Sequence, residues 1–129
     1  MDDREMLEWA AKAAGITYWR SKHGYINLVL PSGETVACCT WWTQYDPYSG
    51  EKIPEPTLYD ALQDWGNFNI LEDDGEALRL AVKLRIFLDK EKIDLFAYLF
   101  GAAMVDHDEE TATRLAIAQV AAAIGKEGK

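Results

Sequence analysis

Tyr25-Ile26-Asn27-Leu28-Val29-Leu30-Pro31-Ser32-Gly33-Glu34-Thr35-Val36-Ala37-Cys38-Cys39-Thr40-Trp41 decides the fold class. Two β-prone runs, 25–30 and 35–41, flank a Pro-Ser-Gly-Glu sequence with the chemistry of a turn. This is a β-hairpin, so the protein contains an antiparallel sheet.

Upstream, residues 16–20 (Ile-Thr-Tyr-Trp-Arg) form another short β-prone run. Downstream, residues 85–89 and 95–100 are expected as strands joined through the charged Lys90-Glu91-Lys92. For 95–100, periodicity does not separate strand from helix, because the apolar run is short.

Three segments carry helical periodicity. In residues 3–14, Leu7, Ala10, Ala11 and Ala14 share a face, and Gly15 follows as a stop. In residues 74–84, Ala77, Leu80, Ala81 and Leu84 oppose the wet stripe Glu76, Arg79 and Lys83. In residues 109–124, Ile117, Val120, Ala121 and Ile124 repeat the spacing, and Gly125 reads as the stop. The expected fold is α+β: an antiparallel sheet of about five strands with three helices, in the order α-βββ-α-ββ-α, as a single domain over residues 1–129.

The chain of 129 residues is 49% hydrophobic, enough for one core and too much for disorder. No apolar run reaches the roughly 20 residues that span a bilayer; residues 93–105 come nearest and contain Asp94. The start, Met1-Asp2-Asp3-Arg4-Glu5, is acidic, whereas a secretory signal opens basic and then turns apolar. The expected location is the cytoplasm, with no membrane partner.

Net charge is −9. Direct binding to nucleic acid needs clustered Lys and Arg and is not expected. Half of the acidity has a structural role. Asp-x-x-Glu patterns open each helix at Asp2/Glu5, Asp73/Glu76 and Asp106/Glu109, and together with Asp3, Glu72, Asp74, Asp108 and Glu110 they make 11 of the 22 acids. There they cap free N–H groups and oppose the helix dipole.

Residues 41–78 differ from the rest. Nine acids (Asp46, Glu51, Glu55, Asp60, Asp64, Glu72, Asp73, Asp74, Glu76) against Lys52 give −8 of the −9. The same stretch holds seven aromatics and three of the four prolines. Within it, residues 42–70 read as an irregular acidic aromatic segment, and a loop of that length is either functional or disordered. Aromatics interleaved with charge are the residue types that anchor protein interfaces. Trp42, Tyr45, Tyr48 and Tyr59 are the candidate anchors, with Asp46, Glu51 and Glu55 steering association. The same aromatics also suit a small second core folded over the sheet; the two roles are compatible.

Catalytic signatures were sought in turn. Cys38 and Cys39 are adjacent, which suits neither a disulfide nor zinc spacing. His23 precedes Gly24 in a turn. A Cys38–His23 nucleophilic pair needs an exposed thiol of lowered pKa. Asp106-His107-Asp108-Glu109-Glu110 superficially suggests a metal site, but adjacent side chains point apart, and a helix start explains it better. Glu72-Asp73-Asp74-Gly75-Glu76 lacks the alternating ligands and distal Glu of a calcium loop. There is no Gly-x-Gly-x-x-Gly pattern, phosphate-cradling loop or Gly-x-Ser-x-Gly elbow. No cofactor or metal is expected.

The stretch Trp65-Gly66-Asn67-Phe68-Asn69-Ile70-Leu71-Glu72-Asp73-Asp74-Gly75-Glu76-Ala77-Leu78-Arg79-Leu80-Ala81-Val82-Lys83-Leu84 resembles a motif of small bacteriophage and prophage proteins. That motif reads aromatic-Asn-Pro-Leu, two acids, then Gly-Asp-Ala-Leu-Arg-Leu-Ala-Val-Lys-Leu; here Ile70 stands for Pro and Glu76 for Asp. The opening Met6-Leu7-Glu8-Trp9-Ala10-Ala11 and the tail Thr111-Ala112-Thr113-Arg114-Leu115-Ala116-Ile117 are similar to the family's first and last helices, while residues 43–64 have no counterpart. The resemblance implies a phage-type α/β sandwich domain of unassigned function, made in a bacterial host cytoplasm, with no catalytic residues to carry over. The expected function is a non-enzymatic accessory protein that binds a host protein with a basic surface, such as a nucleic-acid-handling or defence factor. The alternatives are self-association through the same segment, or an enzyme built from His23, Cys38 and nearby carboxylates.

Overall fold

The computed structural model describes residues 2–127. Helix α1 (Asp3–Ala13) begins where Asp2 accepts the N–H of Glu5 at 2.8 Å. It buries Met6, Leu7, Ala10 and Ala11, the face expected from spacing. Its end is a Schellman turn: the N–H of Gly15 bonds Lys12 O, and that of Ile16 bonds Ala11 O, carrying Ile16 into the core.

Strands β1 (Thr17–Arg20), β2 (Ile26–Val29) and β3 (Thr35–Cys38) form one antiparallel sheet in sequence order. The β2–β3 turn closes with Leu30 N–H on Glu34 O at 2.8 Å, as the hairpin reading required. The register aligns Tyr18, Leu28 and Val36, and aligns Arg20, Ile26 and Cys38, on one face. Ile26, Leu28 and Cys38 are buried there, and helix α2 (Leu58–Trp65) packs on β2 and β3. Trp19, Asn27 and Ala37 align on the opposite face.

The remaining helices are α3 (Asp74–Lys83), α4 (Lys90–Ala103) and α5 (Glu109–Lys126). Helix α5 is the hub, packed against α1, α3 and α4. Its run of Ala112, Ala116, Ala118, Ala121 and Ala122 is buried, and small side chains let neighbouring helices come close. Arg114 clamps this assembly: its Nε donates to Leu71 O at 2.9 Å, and its guanidinium pairs with Asp74.

The class is α+β, with five helices and three strands among the described residues, where three helices and about five strands were expected. Three local corrections account for the difference. Residues 85–89 are a turn. Arg85 takes the left-handed conformation at φ 58°, its N–H bonds Val82 O, and Ile86 N–H bonds Ala81 O. This repeats the Schellman turn at Gly15-Ile16 with no glycine to announce it, and Ile86 is buried as Ile16 is.

Residues 95–100 lie inside α4. Asp89 caps it by accepting the N–H of Glu91 at 3.1 Å, Lys90 pairs with Asp94 one turn on, and Phe96 stacks with Phe100 at 5.9 Å. The third correction is α2, which lies within the segment read as irregular. Thr57 and Asp60 form a reciprocal capping box, and the helix stops at Gly66.

Two smaller expectations also shift. Asp108, not Asp106, caps α5 by accepting the N–H of Thr111 at 2.8 Å; hydrogen bonding from the Thr111 side chain, and then from its backbone, holds the Asp108 carboxyl below the usual range. Gly125 is not a stop but lies within α5. A Cβ there would overlap the Trp9 carbonyl, so glycine is what lets α5 touch α1.

Candidate interaction site

Cys39, just past β3, takes φ 60°, and its N–H donates to Asp64 Oδ2 at 3.0 Å. That bond joins the sheet edge to α2 and launches the chain into residues 40–57. Trp42 turns back at once. It is 7% exposed, its Nε1 donates to Pro54 O at 2.9 Å, and its ring lies against Gly24, where any Cβ would overlap it. One side chain thus ties the loop's start to its end and to the β1–β2 turn.

Beyond this anchor the chain makes a small hairpin. Tyr45 and Lys52 pair as an antiparallel bridge, Asp46 N–H bonds Glu51 O, and Ile53 N–H bonds Gln44 O. Asp46 Oδ1 accepts the N–H groups of Tyr48 at 2.7 Å and Ser49 at 3.2 Å, a side-chain-closed turn. The tip therefore holds its shape while Tyr48 stands 98% exposed. Tyr45, on the hairpin, and Trp41, ahead of it, are each more than half exposed. Arg20 fastens the far leg by donating to Pro56 O at 2.7 Å and pairing with Glu55 at 3.7 Å.

The expected site residues thus divide. Tyr45, Tyr48 and Glu51 stand outward on the hairpin. Glu55 is exposed but paired to Arg20. Asp46 is half-buried and holds the turn. Trp42 faces inward and belongs to the scaffold, not to the exposed set. Tyr59 is half-buried on α2, its N–H on Glu8 Oε2 at 3.0 Å and its ring 4.9 Å beneath Arg4. Trp41, which was not among the expected anchors, joins the exposed set.

Acidity in residues 41–78 is mostly engaged. Asp46, Asp60, Asp64, Asp73 and Glu76 accept backbone N–H bonds, and Glu55 and Asp74 pair with arginines, leaving Glu51 and Glu72 of the nine. Most of these carboxylates act first as backbone acceptors. The supports Arg20, Asp64 and Glu8 were not legible in the sequence, because each reaches a partner at least 25 residues away.

Behind the hairpin lies a polar groove of about 460 Å³, lined by Lys22, His23, Tyr25, Gln44, Lys52 and Glu55 among others. Cys38 is not among its lining residues; it is buried, so His23 and Cys38 do not meet there as a nucleophilic pair. Burial, and then the Asp64 charge, push the Cys38 thiol up and raise that of Cys39 to about 11. Both shifts oppose thiolate formation. Among the described residues, no three His, Cys, Asp or Glu side chains converge to hold a metal ion. Among them, too, no helix is long and apolar enough to cross a membrane.

The fold and this surface define a class: an α+β domain that presents a stiffened aromatic hairpin. In comparison with known proteins, no family model, curated protein or solved structure matches the chain.

Proposed function

We propose that this chain is a non-enzymatic accessory protein of phage or prophage type that acts in a bacterial cytoplasm by binding a host protein. The contact surface is the hairpin, with Tyr45 and Tyr48 as anchors and the exposed Trp41 ahead of its base, and with Glu51 and the turn carboxylate Asp46 drawing in a basic partner surface. The observation that carries the reading is Tyr48, almost wholly exposed on a loop that is nonetheless held by a capped turn and a buried Trp. An ordered, exposed aromatic binds without a large ordering cost. The acidity of residues 41–78 supports a basic partner and disfavours nucleic acid itself. The phage assignment rests on the resemblance over residues 65–84, whose side chains here cap α3 and fill the core.

The test is affinity capture from a bacterial lysate with tagged wild type beside Tyr48→Ala combined with Glu51→Gln. Asp46 is left intact because it closes the turn. A host protein kept by wild type and lost by the double variant, at equal thermal stability, is the expected result. Equal retention by both proteins would sink the assignment of the surface.

A further inference from the structure

We propose that the free edge of β1 pairs with the β1 edge of a second copy of this chain, antiparallel about a two-fold axis at Trp19, so that two three-stranded sheets join into one. This surface is separate from the aromatic hairpin and does not rest on the partner proposed for it.

The backbone fixes which groups β1 leaves open. Along an antiparallel strand, residues alternate between bonding the neighbour and pointing their N–H and C=O away from it. Ser21 N–H bonds Tyr25 O at 2.8 Å, so in the same register Trp19 bonds Asn27 and Thr17 bonds Val29. The other side of β2 agrees: Leu30 N–H bonds Glu34 O, which turns Ile26 and Leu28 toward β3 and leaves Asn27 and Val29 for β1. The N–H and C=O groups of Tyr18 and Arg20 therefore point to the free edge. All four residues of β1 are exposed, and among the described residues none of these outward groups has a hydrogen-bond partner. Native edges are guarded by proline, bulges or charge. This one has no proline, and its one charged side chain, Arg20, is turned back onto Pro56 O and Glu55 of its own chain. Trp19, 52% exposed, stands on the sheet face opposite α2.

What covers such an edge is an extended backbone, the one structure whose donors and acceptors match its spacing. A second β1 strand does so with itself. With Trp19 on the axis, Tyr18 of each copy faces Arg20 of the other, and every outward N–H meets a C=O. Trp19 then faces Trp19 at a non-hydrogen-bonded position, where cross-strand side chains come closest. Pairing β1 with a β3 edge instead leaves a free edge at each end and runs on as a fibre, whereas the two-fold pair closes.

Charge favours the same arrangement. Residues 9–33 contain no Asp or Glu, the longest such run in a chain of −9, so β1 is where two acidic chains approach with least repulsion between carboxylates. Of the three bases in that run, Arg20 pairs with Glu55, Lys12 lies 5.2 Å from the centre of the Trp9 ring, and Lys22 makes no ion pair among the described residues. In the two-fold register Lys22 comes opposite Ile16 of the other copy. Ile16 lines a cavity of about 480 Å³ between α1 and β1 whose charged lining is Glu5 and Glu8 against Lys12, a net −1. The basic turn of each copy thus meets the acidic cavity of the other.

Sedimentation velocity tests this over a loading range of about 1–100 μM, where modest homodimers dissociate. Wild type is expected to move from 14.6 kDa toward twice that mass as concentration rises. Tyr18→Pro removes an outward N–H and no bond within the sheet, at a position where an edge strand tolerates proline. It deletes two bonds per dimer and should weaken self-association by roughly tenfold or more, whereas Tyr18→Thr, which loses the ring and keeps the N–H, should weaken it far less. Trp19→Lys sets like charges opposite each other and should also weaken it by roughly tenfold or more. Its urea midpoint should change little, since Trp19 is exposed, so it carries the test even where the proline variant fails to fold. A monomer across the whole range overturns the proposal and leaves the edge to an extended segment of another protein. So does a dimer that survives Trp19→Lys, one weakened equally by Tyr18→Thr and Tyr18→Pro, or one dissolved by Tyr48→Ala instead.

Discussion

Trp42→Ala, set beside Tyr48→Ala, separates an aromatic that holds the fold from one that waits for a partner. Its ring fills the space over Gly24, and its Nε1 closes the loop onto Pro54. Truncating a buried large aromatic costs about 3–5 kcal/mol through lost burial and the cavity left behind. The lower end applies here, because Trp42 lies outside the main cluster of buried side chains and Pro54 is exposed, so water can satisfy the freed carbonyl. The expected loss is about 3 kcal/mol. With a urea m-value of about 1.5 kcal/mol/M, the midpoint falls by about 2 M. Tyr48→Ala, with nothing to lose in the free protein, should stay within about 0.5 kcal/mol of wild type. Urea melts followed by far-UV circular dichroism measure both. If Trp42→Ala shifts the midpoint by no more than Tyr48→Ala does, the loop is not coupled to the sheet through this ring, and the account of a stiffened hairpin fails.

Arg85→Gly should raise stability, by about 0.5–1 kcal/mol in a thermal or urea melt. It relieves a non-glycine residue at φ 58° whose side chain is exposed, and the relief exceeds the added freedom of the unfolded chain. A loss of stability would show that the Arg85 side chain contributes more than its strain costs. Cys39 makes stability fall in alkali. Its folded pKa of about 11 exceeds the ordinary thiol value of 9.0, so its contribution is complete below about pH 9 and is lost as pH rises toward 11. Two pKa steps correspond to at most about 3 kcal/mol. Urea melts between pH 8 and pH 11 should show wild type declining more steeply than Cys39→Ala; parallel curves would refute the assignment.

Where residues meet through short sequence intervals, the chain declares itself. The hairpin at 25–41 was legible because its turn residues and β-prone flanks lie side by side. The burial face of α1 was legible from spacing, and Asp2 and Asp73 cap as their position implied. Helix α2 was equally local and was passed over: Thr57-Leu58-Tyr59-Asp60 is its capping box, and Leu58, Ala61, Leu62 and Trp65 keep helical spacing up to Gly66. Proline and acid density masked that signal. Helix α4 was ambiguous for a physical reason. Its apolar residues occupy both sides, so no amphipathic period distinguishes it from a buried strand.

The candidate surface shows the same division. Its composition and its location within residues 42–70 came from the chain alone, as did the choice of Tyr45 and Tyr48 as anchors; helix α2 is what narrows the loop to 40–57. Which aromatics face in and which face out did not. Trp41 and Trp42 are neighbours with the same chemistry; only the approach of Gly24 and Pro54 buries one and leaves the other out. Asp64 reads as one acid among nine until β3 ends beside α2 and offers it the Cys39 N–H. By itself, the sequence determined class, charge and local elements, because caps, turns and periodicity act over a few residues. The tertiary structure decided orientation and partnership, because burial depends on what the rest of the chain brings within a few ångströms.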